Sequence, residues 1–387
     1  MEKLQPKLRF PEFNEEWEKD IIGNVCDISS GGTPSRSNNT FWDGEIPWVS
    51  TSLIDFNTIT STDEYITELG LKNSSAKLFP KGTILMAMYG QGKTRGKVSV
   101  LGIEASTNQA CGAIIPKSED LNYIYLFQNL SKRYDEIRDL SNQGGQENLS
   151  GGIIKSLEIT FPSLPEQTKI ASFLSTVDEK INLLKKQLTL LEQYKKGVMQ
   201  KIFSREIRFK DEEGNEFPEW ELITLGECLD YEQPNNYLVD NTEYSDTYPT
   251  PVVTAGKTFI LGYTNEKNGI FANNLPVIIF DDFTTSSQFV TFPFKAKSSA
   301  MKILKAKPLC SVKFLFEALQ MIKYEVGGHG RHWISVFSKL EILIPNHLEQ
   351  QKIASFLSSF DEKINKTQDQ ISKMELWKKG LLQQMFV

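Results

Sequence analysis

Long apolar runs are missing from this chain of 387 residues. None approaches the roughly 18 residues that a membrane-spanning helix requires, so no membrane partner is expected. The first residues, MEKLQPKLRFPEF, also lack the apolar core of a secretory signal. Cysteine is scarce. The four present (Cys26, Cys111, Cys228 and Cys310) are scattered with no C-x-x-C pair, which points to buried free thiols in a reducing cytoplasm. Only three histidines occur, His329, His332 and His347, so neither a metal site nor a Ser/His/Asp set is expected. No glycine-rich cofactor loop of methyltransferase type is found, and no Asn-Pro-Pro-aromatic segment for flipping an adenine. Nor is there an excess of basic residues: the formal net charge is −6. That sum does not exclude nucleic acid, because a phosphate backbone meets only the face it touches.

What is present is a repeat. Residues 166–203, EQTKIASFLSTVDEKINLLKKQLTLLEQYKKGVMQKIF, align without a gap with residues 349–386, EQQKIASFLSSFDEKINKTQDQISKMELWKKGLLQQMF. Fainter echoes lie upstream. LEITFP (157–162) corresponds to LEILIP (340–345), Gly144-Gly145 to Gly327-Gly328, and Trp17 and Gly23 to Trp220 and Gly226. So long a period indicates duplication of a whole unit, in the order variable unit, helix, variable unit, helix.

Both shared segments read as helices. Ile170, Leu174, Val177, Ile181, Leu184 and Leu188 alternate four and three apart, and Ile353, Leu357, Phe360, Ile364, Ile371 and Met374 keep the same register. Lys195 and Lys378 interrupt the seam at equivalent places. This is a coiled-coil pattern. Ser163 precedes Glu166, and Asn346 precedes Glu349, by the spacing of a capping box. The narrow seam and charged outer faces favour a two-helix stalk separate from the domain cores over the alternative, a helical pair closing an ordinary core. Antiparallel pairing would give it approximate two-fold symmetry, which suits the dyads of duplex DNA. The expected fold is α+β: mixed α/β domains at 1–162 and 205–345, separated by long helices at 163–204 and 346–387 that form an antiparallel coiled coil with an internal pseudo-two-fold repeat.

Charge is uneven in the variable units. No acid lies between Glu68 and Glu104, where Lys72, Lys77, Lys81, Lys93, Arg95 and Lys97 fall. None lies between Asp282 and Glu317 either, where Lys295, Lys297, Lys302, Lys305, Lys307 and Lys313 fall. Such stretches are expected to face an anion. The segment YGQGKTRGKV (89–98) has glycines for close backbone approach, and cations that can reach phosphates or base edges. GGHGRHW (327–333) has the same character, and GGTPSRSNNT (31–40) is a polar loop carrying Arg36.

Two motifs resemble an ATP site: AMYGQGKT (87–94) and PVIIFDD (276–282). A phosphate-binding loop must open a helix, yet RGKVSVLGI follows and reads as a strand. The motifs also lie in different copies of the duplication, where Ile84–Tyr89 and Val277–Asp282 are expected to be equivalent strands. An ATPase is therefore set aside.

The duplicated EQ-x-KIASFLS-x-x-DEKI segments, the LRFPEF and FPEW starts and GTILMAMYGQGKTRGK resemble the specificity subunits of type I restriction–modification systems over the full length. One departure is Leu348, where the first copy has Pro165 and the family commonly has proline. The resemblance implies two target recognition domains, each reading half of a split double-stranded DNA sequence. It implies helices that set the unread gap and dock two methyltransferase subunits, with two restriction subunits joining for cleavage. S-adenosylmethionine, ATP and magnesium then belong to those partners, and this chain has no catalysis or cofactor of its own. On this view Lys93, Lys97, Lys295 and Lys297 neutralise phosphates. Gln91, Arg95, Asn108 and Arg331 are candidates for base edges, with Arg36, Tyr89, Thr284, Thr285, Ser286 and His332 beside them. The alternative is a coiled-coil adaptor whose end domains bind protein.

Overall fold

The computed structural model describes residues 4–90, 93–140, 148–256, 258–325 and 330–387. The chain divides into two compact units: Met1–Lys185 with Asp369–Val387 (unit one), and Lys186–Gln368 (unit two). Both follow one plan. In unit one, β1 (Cys26–Ser30), β2 (Ile84–Ala87), β3 (Val98–Leu101) and β4 (Cys111–Pro116) form a sheet in the order β1-β4-β2-β3, with Thr58–Ile59 at its edge. In unit two, β5 (Leu229–Glu232), β6 (Val277–Asp281), β7 (Ser287–Val290) and β8 (Met301–Ala306) repeat it as β5-β8-β6-β7. β2 and β6 occupy equivalent places, and their continuous apolar runs are buried, as a strand covered on both faces requires. The expected equivalence of the two strands is found. After Thr94 comes strand β3, so AMYGQGKT has no helix N-terminus to offer a phosphate.

Two smaller sheets also recur. Glu64–Ile66, Trp42–Val49 and Ala105–Thr107 in unit one match Ile260–Thr264, Thr250–Val253 and Lys295–Ala296 in unit two, and each set contains one parallel pair. Glu18–Ile21 pairs with Glu158–Phe161, and Glu221–Thr224 with Glu341–Ile344, tying each unit's first strand to its last.

Four helices matter for the site: α1 (Tyr123–Lys132), α2 (Leu164–Phe203), α3 (Val312–Met321) and α4 (His347–Met385). The repeated Glu-Gln explains how the long helices are seated. Gln167 accepts the Asn122 N–H at 2.9 Å, while Asn122 caps α1. Gln350 accepts the Ser311 N–H at 2.8 Å, while Ser311 caps α3. Glu166 receives Arg9 through Nε and Nη2 at 2.8 and 2.7 Å. Glu349 receives Arg208 Nη2 at 2.9 Å and the Trp220 indole N–H at 3.1 Å. Both carboxylates are buried, and a buried charge needs such partners. Neither capping box is complete, and in the first copy the Glu166 N–H donates to the Ser163 backbone carbonyl at 3.0 Å. Asn346 Oδ1 accepts the Glu349 N–H at 2.9 Å, but the glutamates turn to arginines instead of reaching back.

The seam is legible in the burial. Ile170, Leu174, Val177, Ile181, Leu184, Ile353, Leu357, Phe360 and Ile371 are buried, whereas Leu188, Ile364 and Met374 are half-buried. Thr367, which an apolar reading passes over, is buried on the same stripe. Within each unit the two helix segments run antiparallel. Asp178 meets Lys378 and Lys185 meets Glu375 in unit one, and Lys195 meets Asp361 in unit two. One expectation needs correction, that of a stalk separate from the cores. Ile170, Leu174, Leu381 and Met385 share a core with Trp17 and Tyr125, and Ile202, Ile353 and Leu357 share one with Trp220 and Phe314. A sheet backed by one short helix leaves an apolar face open, and the long helices cover it.

The thiols fit the sequence reading. Cys26, Cys111 and Cys228 are buried and Cys310 partly so, and burial pushes the first three up to about 12.

Candidate nucleic-acid interface

Four segments meet beside the central sheet of unit one, and backbone hydrogen bonds hold them. The Asn108 N–H donates to the Val49 carbonyl (3.0 Å), Met88 to Ala110 (2.8 Å), and Leu149 to Met88 (2.9 Å). Unit two repeats the junction. There Lys297 donates to Val253 (3.0 Å), Asp282 to Ala300 (3.0 Å), and His332 to Asp282 (2.9 Å). Backbone bonds do not depend on side-chain identity, so the junction recurs in both units although Asn108 and Met88 stand where unit two has Lys297 and Asp282. The structure thus presents one surface twice, with two different sets of groups.

In unit one, Tyr89 is exposed at the start of the hairpin that joins β2 to β3. Gly90 has φ +133, a conformation side chains rarely adopt. Lys93 is exposed, and its carbonyl accepts the Tyr134 hydroxyl at 2.6 Å. Tyr134 in turn meets Phe56 edge-on at 5.3 Å. Arg95 is half-buried and already engaged with neighbouring groups. Gln91 lies outside the described residues, as do Gly144, Gly145, Gly327, Gly328 and His329. The loop carrying Arg36 is fastened to the same junction. Gly32 N–H donates to the Thr107 carbonyl at 2.8 Å, and the Thr33 hydroxyl donates to Gln109 Oε1 at 2.6 Å. A Cβ on Gly31 would stand 2.0 Å from the Thr107 carbonyl oxygen, so only glycine permits this approach.

In unit two, the turn from β6 to β7 presents Thr284 and Ser286 to solvent, with Thr285 half-buried at φ +60. Asp281 Oδ1 holds the turn by accepting the N–H groups of Phe283 and Thr284 at 2.8 and 2.9 Å. Asp282 accepts the Trp333 N–H at 2.8 Å and faces Lys302 at 3.2 Å. This carboxylate pair is structural. It fixes the segment on which Arg331 stands exposed. Lys297 is half-buried, with Nζ 5.8 Å from the Tyr244 ring.

Several of the expected contact residues are engaged within the protein. Lys295, expected on a phosphate, is 2% exposed and bonds to Glu266 and to the Asn268 carbonyl. His332 is buried, with Nδ1 3.3 Å from the Tyr324 hydroxyl. Lys97 is engaged by Asp55 at 2.5 Å. Asn108 Oδ1 is committed to its own turn, accepting the Ala110 N–H and the Cys111 thiol. The acid-free stretch of unit two is not acid-free in space. Lys295 meets Glu266, Lys302 meets Asp282, Lys305 meets Glu232, Lys307 meets Asp230, and Lys313 meets Glu317 and Asp361. Strand pairing supplies the acids, since β5 carries Asp230 and Glu232 alongside β8. Arg36 has neighbours that sequence alone did not reveal: Glu64, Trp42 and Trp48. Glu64 is brought opposite Trp48 by the strand register. A cleft of about 730 Å³ in unit one is lined by Asp55, Asp178, Glu179 and Glu375 together with Lys185 and Lys378, and most of these charges are already paired with one another or with Lys97.

Comparison with known proteins finds the duplication in the sequence as well. Residues 14–193 and 218–375 match the family described as "Type I restriction modification DNA specificity domain". The chain is 52% identical over 134 residues to the type I restriction enzyme EcoR124I/EcoR124II specificity subunit of Escherichia coli, a match covering 33% of each protein. It is 28% identical over 411 residues to the MjaIX specificity subunit of Methanocaldococcus jannaschii, covering 95% of this chain and 92% of that one. The fold resembles that of a crystallised type I restriction–modification S subunit from M. genitalium, with a TM-score of 0.67, 18% identity and 99% of both chains covered.

Proposed function

This chain belongs to the type I restriction modification DNA specificity family, and from that premise we propose that its two recognition domains each read one half of a split DNA target. The observation that carries this is the repeated junction: one backbone scaffold, formed in both units, bearing two unlike sets of side chains. Each unit would set its loops in a groove, with exposed Lys93 and half-buried Lys297 towards phosphates and with Arg95, Arg331, Thr284 and Ser286 towards bases.

The finer parts of the reading concern partners. The chain would supply no chemistry itself. Two methyltransferase subunits would bring S-adenosylmethionine, and restriction subunits would bring ATP and magnesium. The long helices offer the former a surface. Tyr194 and Trp377 hold equivalent repeat positions, and both are exposed aromatics of the kind that anchor interfaces. Among the described residues no helix is long and apolar enough to cross a membrane, and the cytoplasm, where chromosomal DNA lies, is the proposed place of action.

The test is a genome-wide map of methylated adenine in cells carrying the methyltransferase partner with or without this chain. A split motif that appears only with the chain is expected. The same methylated sites in both strains would overturn the reading.

A further inference from the structure

We propose that Arg36 reads a guanine in the half-site met by unit one, and that Trp42 and Glu64 are positioning residues that hold its guanidinium for that contact. The inference rests on unit one being a DNA-recognition domain. The guanidinium carbon lies 3.7 Å from the centre of the Trp42 ring and 5.0 Å from that of Trp48. The two rings meet edge-on at 5.2 Å, and their indole N–H groups are fixed on the carbonyls of Ser35 (3.1 Å) and Gly32 (3.0 Å). The aromatic pair therefore seats the guanidinium on a rigid support. Rotation on that support is set by Glu64, whose Oε1 accepts from Nη1.

This leaves one edge. Nε and Nη2 carry no hydrogen bond among the described residues, and the side chain is 55% exposed. Those two donors form the fork that matches the O6 and N7 acceptors of guanine in the major groove. Holding the fork in advance removes most of the entropy a long side chain would lose on binding. The loop is also in the right place, because Thr33 and Gly32 bind it to the Thr107–Gln109 turn of the junction.

The carboxylate decides between phosphate and base. An arginine meant for a phosphate gains from keeping its full charge, whereas Glu64 cancels that charge and would repel the backbone. A base edge has no net charge, and for it the geometry gained outweighs the charge lost. Arg36 should thus contribute to sequence choice and little to the salt dependence of binding.

The experiment is methylation mapping with the chain assembled with its methyltransferase partner, for the parent, Arg36→Ala, Arg36→Lys and Glu64→Gln. The parent motif should contain a guanine at one position that Arg36→Ala makes degenerate, lowering discrimination there by about 5- to 150-fold. Arg36→Lys should relax the same position while methylation continues, and Glu64→Gln should relax it less. If Arg36→Ala fails to assemble, the other two variants carry the test. An unchanged motif in Arg36→Lys, a relaxed position that is not guanine, or changes in both halves would overturn the inference while leaving the split motif intact. Absence of any split motif from the parent would instead sink the function on which it rests.

Discussion

Lys378 Nζ lies 2.5 Å from Asp178 Oδ1 in unit one, and the same pair recurs in unit two as Lys195 and Asp361 at 2.7 Å. Both lysines interrupt an apolar seam, and both do so to meet the aspartate of the other repeat. The surroundings differ. Lys195 also meets Glu317, whose side chain is 1% exposed, and Lys313 meets both acids. Among the described residues, the Lys378–Asp178 contact is a simple pair with both side chains partly in solvent. Lys378→Met should therefore cost about 0–1 kcal/mol. Lys195→Met should cost roughly 2 kcal/mol, less than a fully broken buried pair because Lys313 remains. Urea unfolding of the two variants checks this, and equal losses would refute the asymmetry.

Acid should act on unit two through Glu232 and Glu266. Burial pushes both carboxyls up, but hydrogen bonds from Lys305 and Tyr237 to the first, and from Lys295 and the backbone of Asn241 and Asp240 to the second, outweigh it. Both are held below the ordinary 4.5. A carboxyl depressed on folding stabilises above its unfolded value, and that contribution is lost as pH falls through the folded one. Stability should therefore drop below pH 4.5, and Glu266→Gln should flatten the slope. Identical pH–stability curves for parent and variant would count against this.

Lysines that look alike in sequence should fail in different ways. Lys93 is exposed on the hairpin, so Lys93→Ala should weaken DNA binding for all sequences and reduce the salt slope by about 1. Lys295 is buried on Glu266, so Lys295→Ala should lower the unfolding midpoint and leave the salt slope alone. Binding titrations at several salt concentrations, beside thermal unfolding, separate the two. A reduced slope for Lys295→Ala would mean that it reaches phosphate after all.

This contrast marks where the sequence is legible. The long helices, the seam and the equivalence of β2 with β6 follow from periodicity and from an ungapped repeat, which are local signals. The charge pattern was misleading because neutrality is decided across strands: Glu232 lies far from Lys305 in sequence and beside it in the sheet. The Arg36 support was hidden for the same reason, since Glu64 reaches it only through the pairing of two strands. Thr367 escapes an apolar pattern because its methyl group counts as apolar only once its hydroxyl is bonded to the Lys363 carbonyl, at 2.8 Å.

The proposed setting of the gap between half-sites by the helices can be tested by insertion. α2 is continuous through residues 185 and 186, where the chain passes from unit one to unit two. Four helical residues inserted after Leu184 would add roughly 6 Å of rise, under two base pairs of duplex. They would also turn the helix by roughly one full turn, so the apolar stripe beyond the insertion would keep its facing within about 40°. The half-site sequences should stay as they are, because no junction residue is touched. The unread gap in the mapped methylation motif should grow by one or two base pairs. A variant that methylates normally with the parental gap would show that something other than this helix sets the spacing.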